Sequence, residues 1–144
     1  MPPSNRAQAS LETLIVLAAL AAFLAVVLPA SLHYQAAFED LTAVQQAQSL
    51  AGKLDATSVA IAGLGPGSQA QVDAFVHANV TLQKDLATGA TVLLVHTRTK
   101  GTKTLTLGSA PAPDAPIDWN GTPNHVVVNV RNDGTNVVLE APTN

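Results

Sequence analysis

The chain has 144 residues, of which 47% are hydrophobic, 12% charged and 3% aromatic, with a formal net charge of −3. The charged share is about half the ~25% usual for a soluble domain, so apolar surface must be kept from water by membrane insertion or by assembly. The weak negative charge provides no basic field for binding nucleic acid, and a chain without cysteine has neither disulfides nor thiol chemistry.

The N-terminal region combines a short polar stretch with a long apolar run. Residues Met1–Ala7 contain one cation, Arg6, and the run Leu14–Leu28 is apolar throughout. As a helix this run is about 22 Å long, and the uncharged residues up to Leu32 lengthen it to about 28 Å. A bilayer core is about 30 Å thick, so the segment spans it marginally. Arg6 favours a cytoplasmic N-terminus and an exported C-terminal part.

A conventional secretory signal explains the run less well than a retained helix does. Such a signal ends in a small-x-small cleavage site, which Leu28–Ser31 does not provide. Helix-forming residues also continue from Tyr34 to Ala60. We therefore predict one helix from about Ser10 to about Ala60, kinked at Pro29 and ended by the glycine-rich segment 62–68.

The second half of this helix is predicted to be amphipathic. Its apolar residues recur at spacings of three and four, which places them on one face. They are Leu41, Val44, Ala47, Ala51 and Leu54.

Beyond residue 68 the hydrophobic period changes to two, which is typical of strands. The predicted strands are Gln71–His77, Asn79–Lys84, Thr91–Arg98, Lys103–Leu107, His125–Arg131 and Thr135–Glu140. Turn residues at 99–102 and 132–134 predict hairpins, whereas Gly108–Pro123 is predicted to be a proline-rich loop that carries Trp119. The predicted fold class is therefore α+β: a long hydrophobic N-terminal helix, then a small antiparallel β-sheet or sandwich of five to seven strands.

One short motif immediately before the apolar run carries a resemblance. Gln8, Ser10 and Glu12 fall at alternate positions, and this pattern resembles the class III signal peptide of archaeal type IV pilin-like proteins. Val16 stands where the pattern often has leucine. The resemblance implies that a prepilin-peptidase-like aspartic protease cuts between Ala7 and Gln8 on the cytoplasmic side, so that the hydrophobic helix stays on the mature protein.

The resemblance also implies an organisation and a function. The expected parts are a leader (1–7), a helix serving as membrane anchor and then filament core (8–62), and an exported β-domain (63–144), in a lollipop arrangement. The expected function is that of a structural subunit of an adhesive extracellular pilus, a homopolymer built by an assembly ATPase and a membrane platform protein. The alternative is a membrane-anchored surface binding protein or minor pilin that does not form the main filament.

Within the apolar run, small alanines alternate with bulky side chains, a pattern that lets helices approach closely and pack. The bulky residues expected to carry assembly are Leu14, Leu17, Leu20, Phe23, Leu24 and Leu28. In the pilin family a glutamate is thought to neutralise the new N-terminal amine of an adjacent subunit, and the resemblance assigns this role to Glu12. Read from the residues alone, Ser10 and Glu12 are an N-cap and a first-turn acid.

Two N-glycosylation sequons lie on the predicted exported side, beginning at Asn79 and Asn120. Lys84, Arg98, Lys100 and Lys103 lie close together in sequence, as a solvated strand pair or as an electrostatic contact surface.

The sequence contains no motif for catalysis, and we expect neither an enzyme nor a cofactor. His33, His77, His96 and His125 lack ligand spacing, so no metal site is expected. Asp118 beside Trp119 indicates a tryptophan that closes the end of the sheet, with a carbohydrate-binding loop as the alternative.

Overall fold

A computed structural model of the chain describes residues 3–120 and 124–142, with side chains from Ser10 onward. Its first element is helix α1, Pro3–Leu64, which confirms the predicted long helix, extends past both predicted ends and continues through Pro29. The helix ends at the predicted glycine-rich break. Gly65 there has a φ of 88°, a left-handed conformation that suits glycine just beyond a helix C-terminus.

The chain divides into two compact units, and the division lies within α1 between Ala37 and Phe38. In the first unit all the described residues belong to α1. The second unit contains the rest of α1 and all the described strands. We call the second the globular unit.

Seven strands follow α1 in the part of the chain that the structure describes. They are β1 (Gln69–Val76), β2 (Asn79–Lys84), β3 (Thr91–Thr97), β4 (Gly101–Thr106), β5 (Ile117–Trp119), β6 (Asn124–Asn132) and β7 (Val137–Glu140). They form a three-stranded sheet in the order β1-β6-β7 and a four-stranded sheet in the order β4-β3-β2-β5, and every pairing is antiparallel. The predicted α+β class is therefore confirmed.

The predicted loop Gly108–Pro123 is wrong at β5. Ile117 pairs with Leu82 of β2 and Trp119 pairs with Val80, so this segment is an edge strand of the four-stranded sheet. Three residues are too few to establish a hydrophobic period. Proline directly before the strand is compatible with it, because the first residue of an edge strand need not donate a hydrogen bond.

The core of the globular unit lies between one face of α1 and the two sheets. The buried positions of that face are spaced three or four residues apart: Asp40, Ala43, Ala47, Leu50, Leu54, Ser58 and Ile61. The predicted apolar face is therefore wrong at Leu41, whose side chain is 54% exposed, while Val44 and Ala51 are half-buried. The buried face contains Ala43 and Leu50 instead, and it begins at a buried carboxylate, Asp40, so its start carries no apolar signal in the sequence.

Ser58 gives a first testable prediction about this core. Its side-chain oxygen Oγ is buried and has no hydrogen-bond partner among the described residues. A buried polar group without a partner costs about 1–3 kcal/mol, so Ser58→Ala should stabilise the globular unit by roughly 1 kcal/mol. The measurement is thermal unfolding of the full chain in detergent micelles, followed by fluorescence of the single tryptophan, Trp119.

Ser49→Ala is the matched control, because Ser49 is exposed on the same helix. Both substitutions gain the same helix propensity, about 0.5 kcal/mol, so the difference between them isolates the buried hydroxyl. Equal stabilisation by the two variants would contradict the assignment of a cost to the Ser58 hydroxyl.

Candidate assembly segment

The candidate functional site is the part of α1 between Leu14 and Leu32, which we call the apolar segment. The bulky residues assigned to assembly are all exposed, with exposed fractions between 42% and 61%: Leu14, Leu17, Leu20, Phe23, Leu24 and Leu28. Fully burying a side chain of this size contributes about 1.5–3 kcal/mol relative to water. The segment therefore presents a large apolar surface that the described structure leaves uncovered.

This surface extends around the whole helix. Four consecutive residues, Leu14, Ile15, Val16 and Leu17, are each at least 55% exposed. Successive helical residues are about 100° apart, so four in a row point in all directions around the axis. A helix that is apolar all round is typical of a membrane span or of the interior of a larger assembly. By length and composition, α1 is also apolar enough to cross a membrane, and none of its most apolar window is buried.

The residues of the processing motif lie in α1, before the apolar segment. Ala7 and Gln8 have helical backbone, and the side chains of Ser10 and Glu12 are exposed. Because α1 begins at Pro3, Ser10 lies inside the helix and is not its N-cap in this chain. Glu12 is also beyond the first turn here. Cleavage between Ala7 and Gln8, and the pairing of Glu12 with a new amine, stay predictions.

The two sequons occupy different settings. Asn79 is an exposed residue of β2, and the side-chain oxygen of Thr81 in the same sequon donates a hydrogen bond of 2.6 Å to Asp118. Asn120 is exposed directly after β5, whereas Gly121 and Thr122 lie outside the described residues. Glycosylation at both asparagines stays a prediction.

Three of the histidines make separate local contacts, and the fourth is exposed on α1. His77 lies 3.1 Å from the amide oxygen of Gln46, and His96 lies 3.0 Å from the hydroxyl of Thr102. His125 stacks on Phe75, and His33 is exposed on α1. Within residues 3–120 and 124–142, no group of three or more histidine or acidic side chains could hold a metal ion.

The basic residues between Lys84 and Lys103 are exposed, but one of them is paired. Arg98 donates a hydrogen bond of 3.0 Å to Glu39 of α1, so part of its charge is compensated. Lys84, Lys100 and Lys103 lie on β2, in the β3–β4 turn and on β4. The structure thus supports the description of these residues as a solvated strand pair, with the contact surface left as a hypothesis.

Two aspartates of α1 attach loops of the four-stranded sheet to the helix, and the sequence analysis did not identify them. Asp40 accepts backbone hydrogen bonds from Arg98 (2.8 Å) and Thr99 (2.9 Å), and a third from the Thr99 hydroxyl. Asp55 accepts three backbone bonds of 2.9–3.0 Å from the consecutive residues 108–110. Both aspartates lie on the side of α1 that faces the core. Which side of the helix is buried depends on contacts distant in sequence, so the sequence alone did not mark these two acids.

Both aspartates are held in the charged form. Burial raises the pKa of Asp40, but the hydrogen bonds from Thr99, Arg98 and Lys100 outweigh it and leave the pKa below its usual value. Burial likewise raises the pKa of Asp55, and the backbone hydrogen bonds from residues 108–110 lower it further than that. These carboxylates therefore act as anchors for the β3–β4 turn and for the chain that follows β4.

Comparisons with protein-family models, curated proteins and solved structures find no match.

Proposed function

We propose that this chain is a structural subunit of an archaeal type IV-like pilus, which polymerises through its N-terminal hydrophobic helix into an extracellular adhesive filament. The observation that carries the proposal is the apolar segment, exposed around the whole helix, directly preceded by the Gln8, Ser10 and Glu12 pattern. A membrane anchor alone requires only the apolar segment. The motif before it adds a processing step that leaves the segment attached.

The same segment serves two environments in this proposal. In the precursor it lies in the membrane with the N-terminus in the cytoplasm, and in the filament it packs against the segments of neighbouring copies. Contact with lipid tails stabilises this surface almost as well as contact with apolar side chains does. The preference for the filament therefore comes from close packing of small and bulky residues between neighbouring helices. Because the gain relative to lipid is small, an assembly ATPase and a membrane platform protein provide the work of extraction.

Glu12 has a specific role in this assembly. It is the one charged side chain between Ala7 and Phe38, and cleavage after Ala7 would make it the fifth residue, near the new amine at Gln8. An unpaired carboxylate in an apolar filament core is costly, and an adjacent subunit's amine offsets that cost. Processing and assembly are thereby linked, because the amine exists only after the leader has been removed.

The test compares processing and assembly in the same cells. We expect N-terminal sequencing of the wild-type protein from sheared surface filaments to begin at Gln8. Glu12→Ala should still begin at Gln8 but should reduce filament yield by about tenfold or more, since the amine of the adjacent subunit is then left unpaired and an unpaired buried charge costs several kcal/mol. Glu39→Ala is the control, because Glu39 is an exposed acid of the same helix in the globular unit. It should leave filament yield unchanged.

Two outcomes would count against the proposal. A mature protein that begins elsewhere than Gln8 would remove the class III interpretation. Surface filaments that lack this protein would favour the alternative, a membrane-anchored surface binding protein or minor pilin. That alternative shares the anchor and the processing step, but it does not form the main filament.

A further inference from the structure

The solvent-facing side of the three-stranded sheet carries polar and aromatic side chains together with the half-buried Val127 and Val138. Along β1 the side chains alternate between core and solvent, and β6 alternates in register with it. Four directly opposed pairs result on the solvent side: Phe75 with His125, Asp73 with Val127, Gln71 with Asn129, and Gln69 with Arg131. Glu140 of β7 lies opposite Asn129 and continues this side across the sheet. We call these side chains the outer face.

One end of the outer face is an aromatic platform. The rings of Phe75 and His125 stack with centroids 4.7 Å apart and planes at 16°, and Phe75 remains 61% exposed. A rigid, half-covered ring offers its free surface to a flat apolar patch of a ligand at little entropic cost. Asp73 lies beside this platform, with a carboxylate oxygen 3.9 Å from His125.

The other end of the outer face is a polar depression of about 600 Å³. It is lined by Gln69, Ala70, Gln71, Asn129, Arg131 and Glu140. The amide side chains of Gln71 and Asn129 each offer both donors and an acceptor. Phe75 and Gln71 are four residues apart on β1, about 13 Å at 3.3 Å per residue.

One ion pair compensates two of the charges of the outer face. Arg131 donates a hydrogen bond of 3.1 Å to Glu140, and Asp73 adds a single further carboxylate. The face therefore lacks the concentrated charge that selects an anion, a cation or a charged peptide. It matches an uncharged molecule rich in hydroxyl groups with flat apolar patches, which is the chemistry of a pyranose ring.

We propose that the outer face binds a neutral oligosaccharide, with one sugar ring stacked on Phe75 and further hydroxyl groups bonded by Gln71 and Asn129. The span of about 13 Å between the platform and the amides leaves room for a short chain of linked sugar rings along β1. The inference deepens the adhesive part of the proposed function and rests on it for the exported location of the globular unit. Binding by single copies does not require assembly, so the two are tested separately.

The experiment uses the full chain as single copies in lipid nanodiscs. The probes are maltopentaose, cellopentaose, chitopentaose and mannopentaose, and binding is measured by titration with saturation-transfer NMR. We expect at least one probe to bind with its signals localised to consecutive rings. Phe75→Ala and Gln71→Ala should each weaken that binding by about tenfold or more, equivalent to roughly 1.4 kcal/mol. Phe75→Trp should preserve it.

Thr104→Ala is the control, because Thr104 is exposed on β4 of the other sheet. It should bind the same probe as the wild type does. Tryptophan fluorescence of every variant verifies that the globular unit is folded. Failure of all four probes, or undiminished binding by Phe75→Ala and Gln71→Ala, would overturn the inference and would leave the filament proposal intact.

Discussion

Replacing Leu20 by arginine should remove the protein from both the membrane and the filament. Leu20 lies near the middle of the apolar segment and is 52% exposed in the isolated chain. Arginine at the centre of a spanning helix costs about 2.5–3.5 kcal/mol on insertion scales, which corresponds to roughly a hundredfold change in equilibrium. In a packed filament core an unpaired arginine is similarly disfavoured. The measurements are the membrane-bound fraction of the precursor and the mass of sheared filaments.

The matched control is the same substitution at Leu41. This leucine lies on the same helix and is exposed to a similar extent, 54%, but it belongs to the globular unit. Leu41→Arg should leave membrane insertion unchanged. A Leu20→Arg protein that inserts and assembles normally would show that the apolar segment serves neither purpose. Leu20→Arg could also insert into the membrane but form no filaments, while Leu41→Arg forms normal filaments. That result would separate the assembly role of the segment from its role as an anchor.

The parts of the fold that the sequence predicted correctly depend on local patterns. The helix predicted from about Ser10 to about Ala60 is evident from its composition and from the glycines at its end, although α1 begins earlier, at Pro3. The hairpin turns at 99–102 and 132–134 connect strands close to the predicted ones, because glycine and asparagine determine turns through neighbouring residues alone. The short strand β5 was missed since its identity depends on pairing with β2, more than thirty residues earlier in the chain.

The candidate site likewise has features that local sequence predicts and features that depend on long-range contacts. The apolar segment follows from composition, and its exposure in the structure agrees with that interpretation. The aspartate anchors were not predictable, because Asp40 is joined to backbone groups 58 residues away. The outer face also depends on long-range register, since Phe75 and His125 become neighbours only when β1 pairs with β6. Cleavage at Ala7 depends on a second protein, so it stays a prediction.

Asp40→Ala should destabilise the globular unit by releasing the β3–β4 turn from α1. The substitution leaves the N–H groups of Arg98 and Thr99 and the Thr99 hydroxyl without their acceptor. Hydrogen bonds to a charged group contribute about 1.5–3 kcal/mol each in favourable cases, and partial access of water to the turn reduces the total. We expect a loss of about 3 kcal/mol, measured by urea unfolding in micelles with Trp119 fluorescence.

Glu39→Ala is the control for this experiment too, because Glu39 precedes Asp40 and pairs with Arg98 of the same turn. Both partners of that pair are more than half exposed, with side chains 67% and 54% accessible, so its loss should cost less than about 1 kcal/mol. Asp55→Ala should fall between the two, since Asp55 accepts three backbone bonds but is only half-buried. A loss for Asp40→Ala no larger than that for Glu39→Ala would contradict the anchoring role.

The same carboxylates determine how stability changes in acid. The pKa values of Asp40 and Asp55 are lower in the folded chain than the value of about 3.9 for an unfolded aspartate. Their contribution is therefore complete above about pH 4 and is lost as the pH falls through the lower folded values. The wild type should lose stability steeply below pH 4, and Asp40→Asn should flatten that slope, because asparagine does not titrate. An unchanged slope in Asp40→Asn would mean that other acids control the acid transition, and that Asp40 is not held as a carboxylate in the folded unit.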